Sequence, residues 1–329
     1  MADKGRVGMG QVTDEEQIEV RRAAGELREI VEEIGRVVKG KRDVTEKVLA
    51  AILAGGHVLL EDIPGVGKTT LAMSMGRTME LAYRRMQFTP DVLPSDILGF
   101  MMFDAQKREF VFREGAVFCN LFLADEINRT SSKTQSALLE VMEEGQVTME
   151  GVTHKLPTPF TVIATENPVG SSGTQRLPES QLDRFMVRLT LGYPDHKSAV
   201  EILKGSAERM VELICPVITT ERVMALREVT NKIYVNDSVF EYIVNLTEET
   251  RRDAGIELGV SPRGSIALLK MAKAMALMRG GAYVVPDDAL SVLEDVWSHR
   301  ILLSGKARAE GLREGDVLRK IAERIPAVR

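Results

Sequence analysis

Residues 57–70, HVLLEDIPGVGKTT, constrain the fold of this chain more than any other part of its sequence. An apolar run at 57–60 leads into a loop that ends in Gly65-Val66-Gly67-Lys68-Thr69-Thr70, and apolar residues at helical spacing follow. Glycines let backbone N–H groups approach phosphate oxygens, and a helix that begins there presents its positive end to the same anion. The pattern predicts a phosphate-binding loop between a buried strand and a helix.

Each residue type in this loop has a chemical reason. Lys68 can reach the β- and γ-phosphates of a nucleotide, and the Thr69 hydroxyl can fill one position on Mg²⁺. The full phosphate-loop pattern has glycine at position 62, where this chain has Asp62. The predicted nucleotide-contacting residues of the loop are Pro64, Gly65, Val66, Gly67, Lys68, Thr69 and Thr70.

A second site signal is the acid pair Asp125-Glu126, which follows the nearly continuous apolar run 117–124. Such a run is typical of a buried parallel strand, and ligands bind outside the carboxyl ends of these strands. Asp125 can hold Mg²⁺ directly or through water, and Glu126 can polarise the water that attacks the γ-phosphate. Two acids can also simply end a strand, but next to a phosphate-binding loop they indicate ATP hydrolysis.

Composition excludes several other classes of protein. The net charge of −5 gives no electrostatic footprint for nucleic acid. Cys119 and Cys215 are far apart and fit a reducing compartment, and no HExxH occurs to suggest a transition metal. No apolar run approaches the roughly 18 residues of a membrane span, so we expect a cytoplasmic protein. His57 is expected to be structural, and the lack of an NKxD motif favours ATP over GTP.

The order of elements predicts an α/β fold in which a second, helical domain follows the first. Predicted strands at 57–61, 84–88, 118–125, 160–165 and 186–191 alternate with helices such as 69–79 and 132–143, which favours a parallel, doubly wound sheet. Five helical patterns follow, at 195–212, 219–231, 236–252, 262–280 and 286–300. We therefore divide the chain into a flexible tail at 1–14, a nucleotide-binding core at 15–193 and an all-α domain at 194–329.

Three further features of the sequence lie outside the regular alternation of strands and helices or allow two interpretations. Residues 96–117 are predicted to form an insertion, and 146–156 a hairpin that turns at Glu150-Gly151. From its residues alone that hairpin is a packing loop, while the family resemblance described next implies a projection that touches substrate, and both interpretations stay open. The methionines at 271, 275 and 278 share one helix face, which favours a core position over a partner groove.

Several segments together resemble the MoxR-type AAA+ ATPases, in the order of that family from about residue 38 to 299. They are 87–96 (QFTPDVLPSD), 125–140 (DEINRTSSKTQSALLE), 164–168 (ATENP), 177–185 (LPESQLDRF) and 261–263 (SPR). The resemblance implies a P-loop AAA+ parallel-sheet core with a smaller all-α lid domain. It also implies that the segment around Val38 and Gly40 lines the adenine pocket.

The resemblance assigns further catalytic roles. Asn167 resembles the sensor-1 residue that orients the attacking water, and Arg184 resembles an arginine finger inserted into a neighbouring subunit's site. Arg263 resembles the sensor-2 residue, acting in its own subunit or in the neighbour's. Arg129 and Arg176 compete with Arg184 for the intersubunit role.

An arginine finger supplied by a neighbour requires a ring, so we expect a homo-hexamer with ATP and Mg²⁺ as cofactors. Members of the resembled family act as chaperones that remodel or mature protein complexes, often beside von Willebrand A-domain partners. Two alternatives stay open: a nucleic-acid remodelling ATPase, which the acidic balance disfavours, and an ATP-gated scaffold with little turnover. The scaffold is disfavoured because binding alone needs none of Glu126, Asn167 and Arg184.

Overall fold

The computed structural model describes residues 13–167, 177–204 and 211–326. A five-stranded, wholly parallel sheet forms its centre. In chain order these strands are β1 (Val58–Glu61), β2 (Tyr83–Gln87), β5 (Leu121–Asp125), β8 (Thr161–Glu166) and β9 (Val187–Leu189). The predicted α/β class with a parallel sheet is confirmed, and each of the five predicted strands exists with ends shifted by up to three residues.

Strand order decides which loops meet. The order across the sheet is β2-β5-β8-β1-β9, so the strand before the phosphate-binding loop lies beside the strand that ends at Glu166, and the strand that ends at Asp125 lies one further along. Strands β1, β5 and β8 are buried throughout apart from the last residues of β1 and β8, which matches their continuous apolar sequences. The carboxyl ends of β1, β5 and β8 therefore form one edge on which a ligand can bind.

Helices cover both faces of the sheet. They are α1 (Asp14–Gly35), α2 (Arg42–Leu53), α3 (Lys68–Thr78), α4 (Pro94–Leu98), α5 (Ser132–Glu144) and α6 (Glu179–Leu182), with a 3₁₀ turn at Ile127–Arg129. Thr13 and Glu16 form a capping box at the start of α1. Asp14 is thus helical, and the predicted tail, apart from residues 13 and 14, lies outside the described residues. Gly145, at φ 63°, ends α5.

Two hairpins extend from the core. β3 (Gly99–Asp104) pairs with β4 (Glu109–Glu114) inside the predicted insertion, and β6 (Gln146–Met149) pairs with β7 (Val152–Lys155). The second hairpin turns at Glu150 and Gly151, both with positive φ, which confirms the predicted turn.

The C-terminal part is almost entirely helical. Its helices are α7 (His196–Lys204), α8 (Thr220–Lys232), α9 (Asp237–Arg252), α10 (Pro262–Arg279), α11 (Pro286–Leu290), α12 (Leu293–Trp297), α13 (Gly305–Ala309) and α14 (Glu314–Arg324). A two-stranded antiparallel pair, β10 (Ile256–Leu258) with β11 (Leu302–Leu303), is an addition to the all-α prediction. The rest of the helix predicted at 195–212 includes residues outside the described range.

The prediction of a single helix at 286–300 is wrong, because the first helix ends at Leu290 and a second begins at Leu293. The Ser291 hydroxyl donates to the carbonyl of Asp288 at 2.8 Å, a local bond that competes with helix continuation. After α12 the chain turns, and His299 and Arg300 reach back to the core instead of extending a helix.

One apolar cluster joins the first helices, the sheet and the C-terminal helices. Met271 is fully buried in it, and Met275 and Met278 pack against it, which confirms the core interpretation of the methionine face. Within the described residues no helix is long and apolar enough to cross a membrane.

Candidate active site

The loop between β1 and α3 has the backbone that a phosphate cradle needs. Gly65 and Gly67 have φ of 86° and 99°, a region that side-chain-bearing residues rarely adopt. Lys68 begins α3 and is buried, and its Nζ donates to the carbonyl of Asp62 at 2.6 Å. Burial lowers the pKa of Lys68, although nearby carboxylates, first that of Asp62, act in the opposite direction. The side chain of Lys68 is thus held against Asp62, where the loop begins.

Asp62, the departure from the glycine pattern, has a structural role. Its Oδ2 accepts the backbone N–H of Gly192 at 2.5 Å, and its Oδ1 accepts that of Ile63 at 2.9 Å. Gly192 follows the edge strand β9 and has φ 64°. The buried carboxylate therefore ties the start of the phosphate-binding loop to the chain that leaves β9.

Asp125 lies at the carboxyl end of β5, as predicted, and both of its oxygens have protein donors. Oδ1 accepts the Thr165 hydroxyl at 2.6 Å, and Oδ2 accepts Nη2 of Arg85 at 2.7 Å. Thr165 in turn accepts the backbone N–H of Glu126 at 2.8 Å, so one hydroxyl orients both acids. The Arg85 guanidinium neutralises the carboxylate that we predicted to bind Mg²⁺.

Glu126 receives three side-chain donors from different elements. Asn167 Nδ2 lies 2.8 Å from Oε1, while Gln87 Nε2 and Arg129 Nη1 lie 2.6 and 2.7 Å from Oε2. Burial acts to raise the pKa of Glu126, but the hydrogen bonds from Arg129 and Asn167 outweigh it and hold that pKa below its ordinary value. A carboxylate kept ionised in this way can accept a proton from water.

Asn167 connects this acid to the sensor strand β8. Its side-chain Oδ1 is buried and has no donor within hydrogen-bonding distance among the described residues. Its backbone carbonyl accepts Asn128 Nδ2 at 3.0 Å, which fixes the chain at that point. An amide that donates to Glu126 and keeps an unsatisfied acceptor fits a residue that orients a water.

The segment predicted to line the adenine pocket lies against the loop that follows β9. Gly40 has φ 68°, and a Cβ at this position would come within 2.5 Å of the Ser198 hydroxyl. Lys41 Nζ donates to the carbonyl of Tyr193 at 2.7 Å, and Val38 is buried in the main core. The segment around Gly40 is therefore in close contact with the chain between β9 and the first turn of α7.

Arg184 and Arg263 lie together at the amino-terminal edge of the sheet, opposite the edge that carries the phosphate-binding loop. The two oxygens of Glu143, near the end of α5, contact both: Oε1 accepts Arg263 Nη2, and Oε2 lies 3.5 Å from Arg184 Nη1. Arg184 also donates to the carbonyl of Leu139 at 2.6 Å. A cavity of about 190 Å³ is lined by Glu143, Arg184 and Arg263 together with Gly56, which lies two residues before β1.

The length of β1 separates that cavity from the phosphate-binding loop. Six residue steps lead from Gly56 to Asp62, and parallel strands rise about 3.3 Å per residue, so the two regions are about 20 Å apart. Neither arginine lies at the phosphate-binding loop of its own chain.

Arg129 and Arg176 were the other two candidates for the intersubunit role. Arg129 contacts Glu126 of its own chain, and Arg176 lies outside the described residues. Sequence reasoning missed Arg85, Gln87 and Glu143, although a polar residue at the end of a core strand was a usable signal for Gln87.

The donor set fits a magnesium nucleotide. The described residues contain no group of three or more His, Cys, Asp or Glu that could hold a metal by itself. The hard oxygens of Thr69 and Asp125 therefore need phosphate oxygens and water to complete a Mg²⁺ site, and Mg²⁺ prefers such mixed coordination. Glycine-rich loop, buried lysine and acid pair meet at one sheet edge, which defines a P-loop nucleoside triphosphatase with a helical lid.

Comparison with known proteins gives the particular family. Residues 57–187 match the family described as "ATPase family associated with various cellular activities (AAA)", and 248–321 match the AAA lid domain. The chain is 46% identical to YeaC of Bacillus subtilis, over 92% of this chain and 96% of that protein. It is 35% identical to Chaperone MoxR1 of Mycobacterium tuberculosis, over 91% of this chain and 81% of that protein.

A solved structure agrees with these relatives. A protein from Cytophaga hutchinsonii, described as a candidate ATPase, superposes with a TM-score of 0.88 at 37% identity, covering 96% of this chain and 98% of that one. The chain belongs to the MoxR family of AAA+ ATPases, and it is an ATP hydrolase.

Proposed function

We propose that this ATPase works as a ring, expected to be a homo-hexamer, in which MgATP hydrolysis remodels or matures protein complexes. The carrying observation is the separation of Arg184 and Arg263 from the phosphate-binding loop by the length of β1. Each subunit then supplies both arginines to its neighbour's site, so that no isolated subunit can complete its own.

The residues divide the chemistry as follows. The loop around Gly65 and Gly67 and the side chain of Lys68 bind the phosphates, and Glu126 takes a proton from the attacking water that Asn167 orients. Thr69 and Asp125 would hold Mg²⁺, which would neutralise phosphate charge. Arg184 and Arg263 from the neighbour stabilise charge on the transferring phosphoryl group, a contribution that is worth roughly 10³–10⁵ in kcat for arginine fingers.

The client is expected to be a protein. One relative of this chain is named as a chaperone, and the net charge of −5 disfavours nucleic acid as the substrate. A von Willebrand A-domain partner and a cytoplasmic location stay predictions. The exposed aromatic hairpin β3–β4 and the hairpin β6–β7 are candidate client contacts.

Subunit mixing tests the proposal. We expect Glu126→Gln to bind ATP without turnover, and Arg184→Ala and Arg263→Ala to bind ATP with kcat reduced at least about 10³-fold. Mixing Arg184→Ala with Glu126→Gln should restore part of the activity, because some sites then combine an intact Glu126 with an intact neighbouring Arg184.

Dilution provides a second measurement. Turnover per subunit should fall as the assembly dissociates, followed by light scattering at each protein concentration. If a demonstrated monomer hydrolyses ATP at the full rate, or if mixing restores nothing, the ring mechanism is wrong.

A further inference from the structure

Arg300, a buried residue of the lid, forms an extensive set of contacts with the chain segment that carries Arg184. Its side chain is 2% exposed. Nε donates to the Asp183 carboxylate at 2.7 Å, and Nη2 donates to the carbonyls of Asp183 and Phe185 at 3.1 and 2.6 Å. Nη1 donates to the carbonyl of Met186 at 3.1 Å. The acceptors lie on both sides of Arg184 in the sequence, so the guanidinium fixes the backbone from which Arg184 extends.

The same side chain also contacts the helix that carries Arg263. Gly264 lies in the first turn of α10, and a Cβ there would come within 2.9 Å of Arg300 Cδ. The lack of a side chain at 264 therefore lets Arg300 pass directly against this helix. Trp297 donates its indole N–H to the Gly264 carbonyl at 3.0 Å, which anchors the same turn to α12.

Asp183 completes the connection. Its Oδ1 receives Arg300, and its Oδ2 lies 3.4 Å from the hydroxyl of Ser261, the N-cap residue of α10. Removing a guanidinium from water is costly unless its donors are matched, and five donor groups fixed in a plane need a matched set of acceptors. A lysine keeps the charge but cannot reproduce this geometry.

We propose that Arg300 is a positioning residue for hydrolysis in the neighbouring subunit: it sets Arg184 relative to Arg263, so that lid and finger move as one unit. The inference rests on the proposed function, in which these arginines act on the neighbour's ATP. Arg300 would act through the backbone around Arg184, because its guanidinium is buried and donates to Asp183, Phe185 and Met186.

The alternative is a buried ion pair that only stabilises the fold, and a subunit-mixing experiment separates the two. We would make Arg300→Lys in the full chain and measure ATP binding, kcat, KM and thermal unfolding. Misplacing a catalytic group by about 1 Å costs on the order of 10²-fold in rate, so kcat should fall at least about tenfold while nucleotide affinity stays within about twofold of wild type.

Mixing with Glu126→Gln is the decisive measurement. The Glu126→Gln subunits supply correctly held fingers to the intact sites of Arg300→Lys subunits, so the mixture should regain activity that neither variant has alone. Arg227→Gln is the matched control, because Arg227 also runs from the lid to the core, donating to the Ile52 carbonyl and the Thr161 hydroxyl at 2.8 and 3.1 Å. Its mixture should show no such gain.

A second variant keeps the test valid if Arg300→Lys does not fold. Asp183→Asn retains the size of the side chain and the backbone acceptors but removes the charge partner, and it should show the same loss of kcat and the same recovery. If the Arg184→Ala mixture recovers and the mixtures of both Arg300→Lys and Asp183→Asn do not, the positioning role is wrong. If the Arg184→Ala mixture itself fails, the proposed ring mechanism is what fails.

Discussion

The Arg129 guanidinium lies against the carboxylate of Glu126, with Nη1 2.7 Å from Oε2. The two residues are three apart, and the 3₁₀ turn Ile127–Arg129 brings the arginine back over the acid. Arg129 is therefore engaged inside its own subunit, and Arg184 is the better candidate for the finger. The contact also helps to hold the pKa of Glu126 below its ordinary value.

A first prediction concerns the pH dependence of turnover. The hydrogen bond from Arg129 lowers the pKa of Glu126, so Arg129→Gln should raise that pKa and move the acid limb of the kcat/KM profile to higher pH. Arg129→Lys keeps the charge and should shift the limb less. Profiles of wild type and both variants decide the matter, and superimposable acid limbs would show that Arg129 does not tune the base.

Asp62 gives a second prediction. Replacing it with glycine, as in the full loop pattern, leaves the half-buried Gly192 N–H without its acceptor, which costs up to about 1–3 kcal/mol of unfolding free energy. The bond from Lys68 goes to the backbone carbonyl of residue 62 and survives the change. We expect urea unfolding to show this loss for Asp62→Gly and a smaller one for Asp62→Asn, with ATP binding retained. Equal stability of Asp62→Gly and wild type would contradict the tie to Gly192.

A third prediction concerns Arg85 and the Mg²⁺ concentration that the ATPase activity requires. Its guanidinium occupies Oδ2 of Asp125, and a cation that binds this carboxylate must compete with it. Arg85→Gln should therefore lower the Mg²⁺ concentration that half-saturates ATPase activity, by a few-fold. Arg84→Gln is the control from the same strand, since Arg84 donates to the Gly115 carbonyl instead. An unchanged or higher requirement in Arg85→Gln would mean that the pair does not oppose metal binding.

Local sequence signals made the centre of the site predictable. The residues around it could not be predicted, because they come from segments that are distant in the sequence. The glycines of 65–67 and the apolar run before Asp125 each indicate one strand end, and they can be recognised without knowledge of the fold. Gln87 and Arg85 reach Glu126 and Asp125 only because β2 pairs with β5, a partnership between segments nearly 40 residues apart. The break after Leu290 was missed although its signal is local, since the Ser291 hydroxyl bonds the carbonyl three residues earlier and competes with helix continuation.

Glu143 was missed for the same reason, since its two arginine partners come from distant parts of the chain. Its position near the end of α5 is unfavourable for an acid, as a helix presents its negative end there. The two guanidinium groups offset this. A charge that is placed against its own helix dipole is thus a usable signal for partners that lie elsewhere in the fold.

His57 predicts a pH effect on stability. Burial lowers its pKa to about 4. Val162 donates its backbone N–H to Nδ1 at 2.9 Å, and Nε2, 2.9 Å from the Met142 carbonyl, is then the donor. A second proton on Nδ1 would break the bond from Val162. Because the folded pKa lies below the unfolded value near 6.5, the unfolded chain takes up the proton first, and the folded state loses stability as pH falls from about 6.5 toward 4.

The size of that loss is about 3 kcal/mol across the full window, since each pKa unit is worth about 1.4 kcal/mol. Other groups also titrate there, so the measured quantity is a difference in slope. Unfolding free energy of His57→Gln should fall less steeply below pH 6.5 than that of wild type. Exposed His196 supplies the control, and His196→Gln should keep the wild-type slope. If His57→Gln and wild type fall in parallel, His57 is not the group that resists protonation.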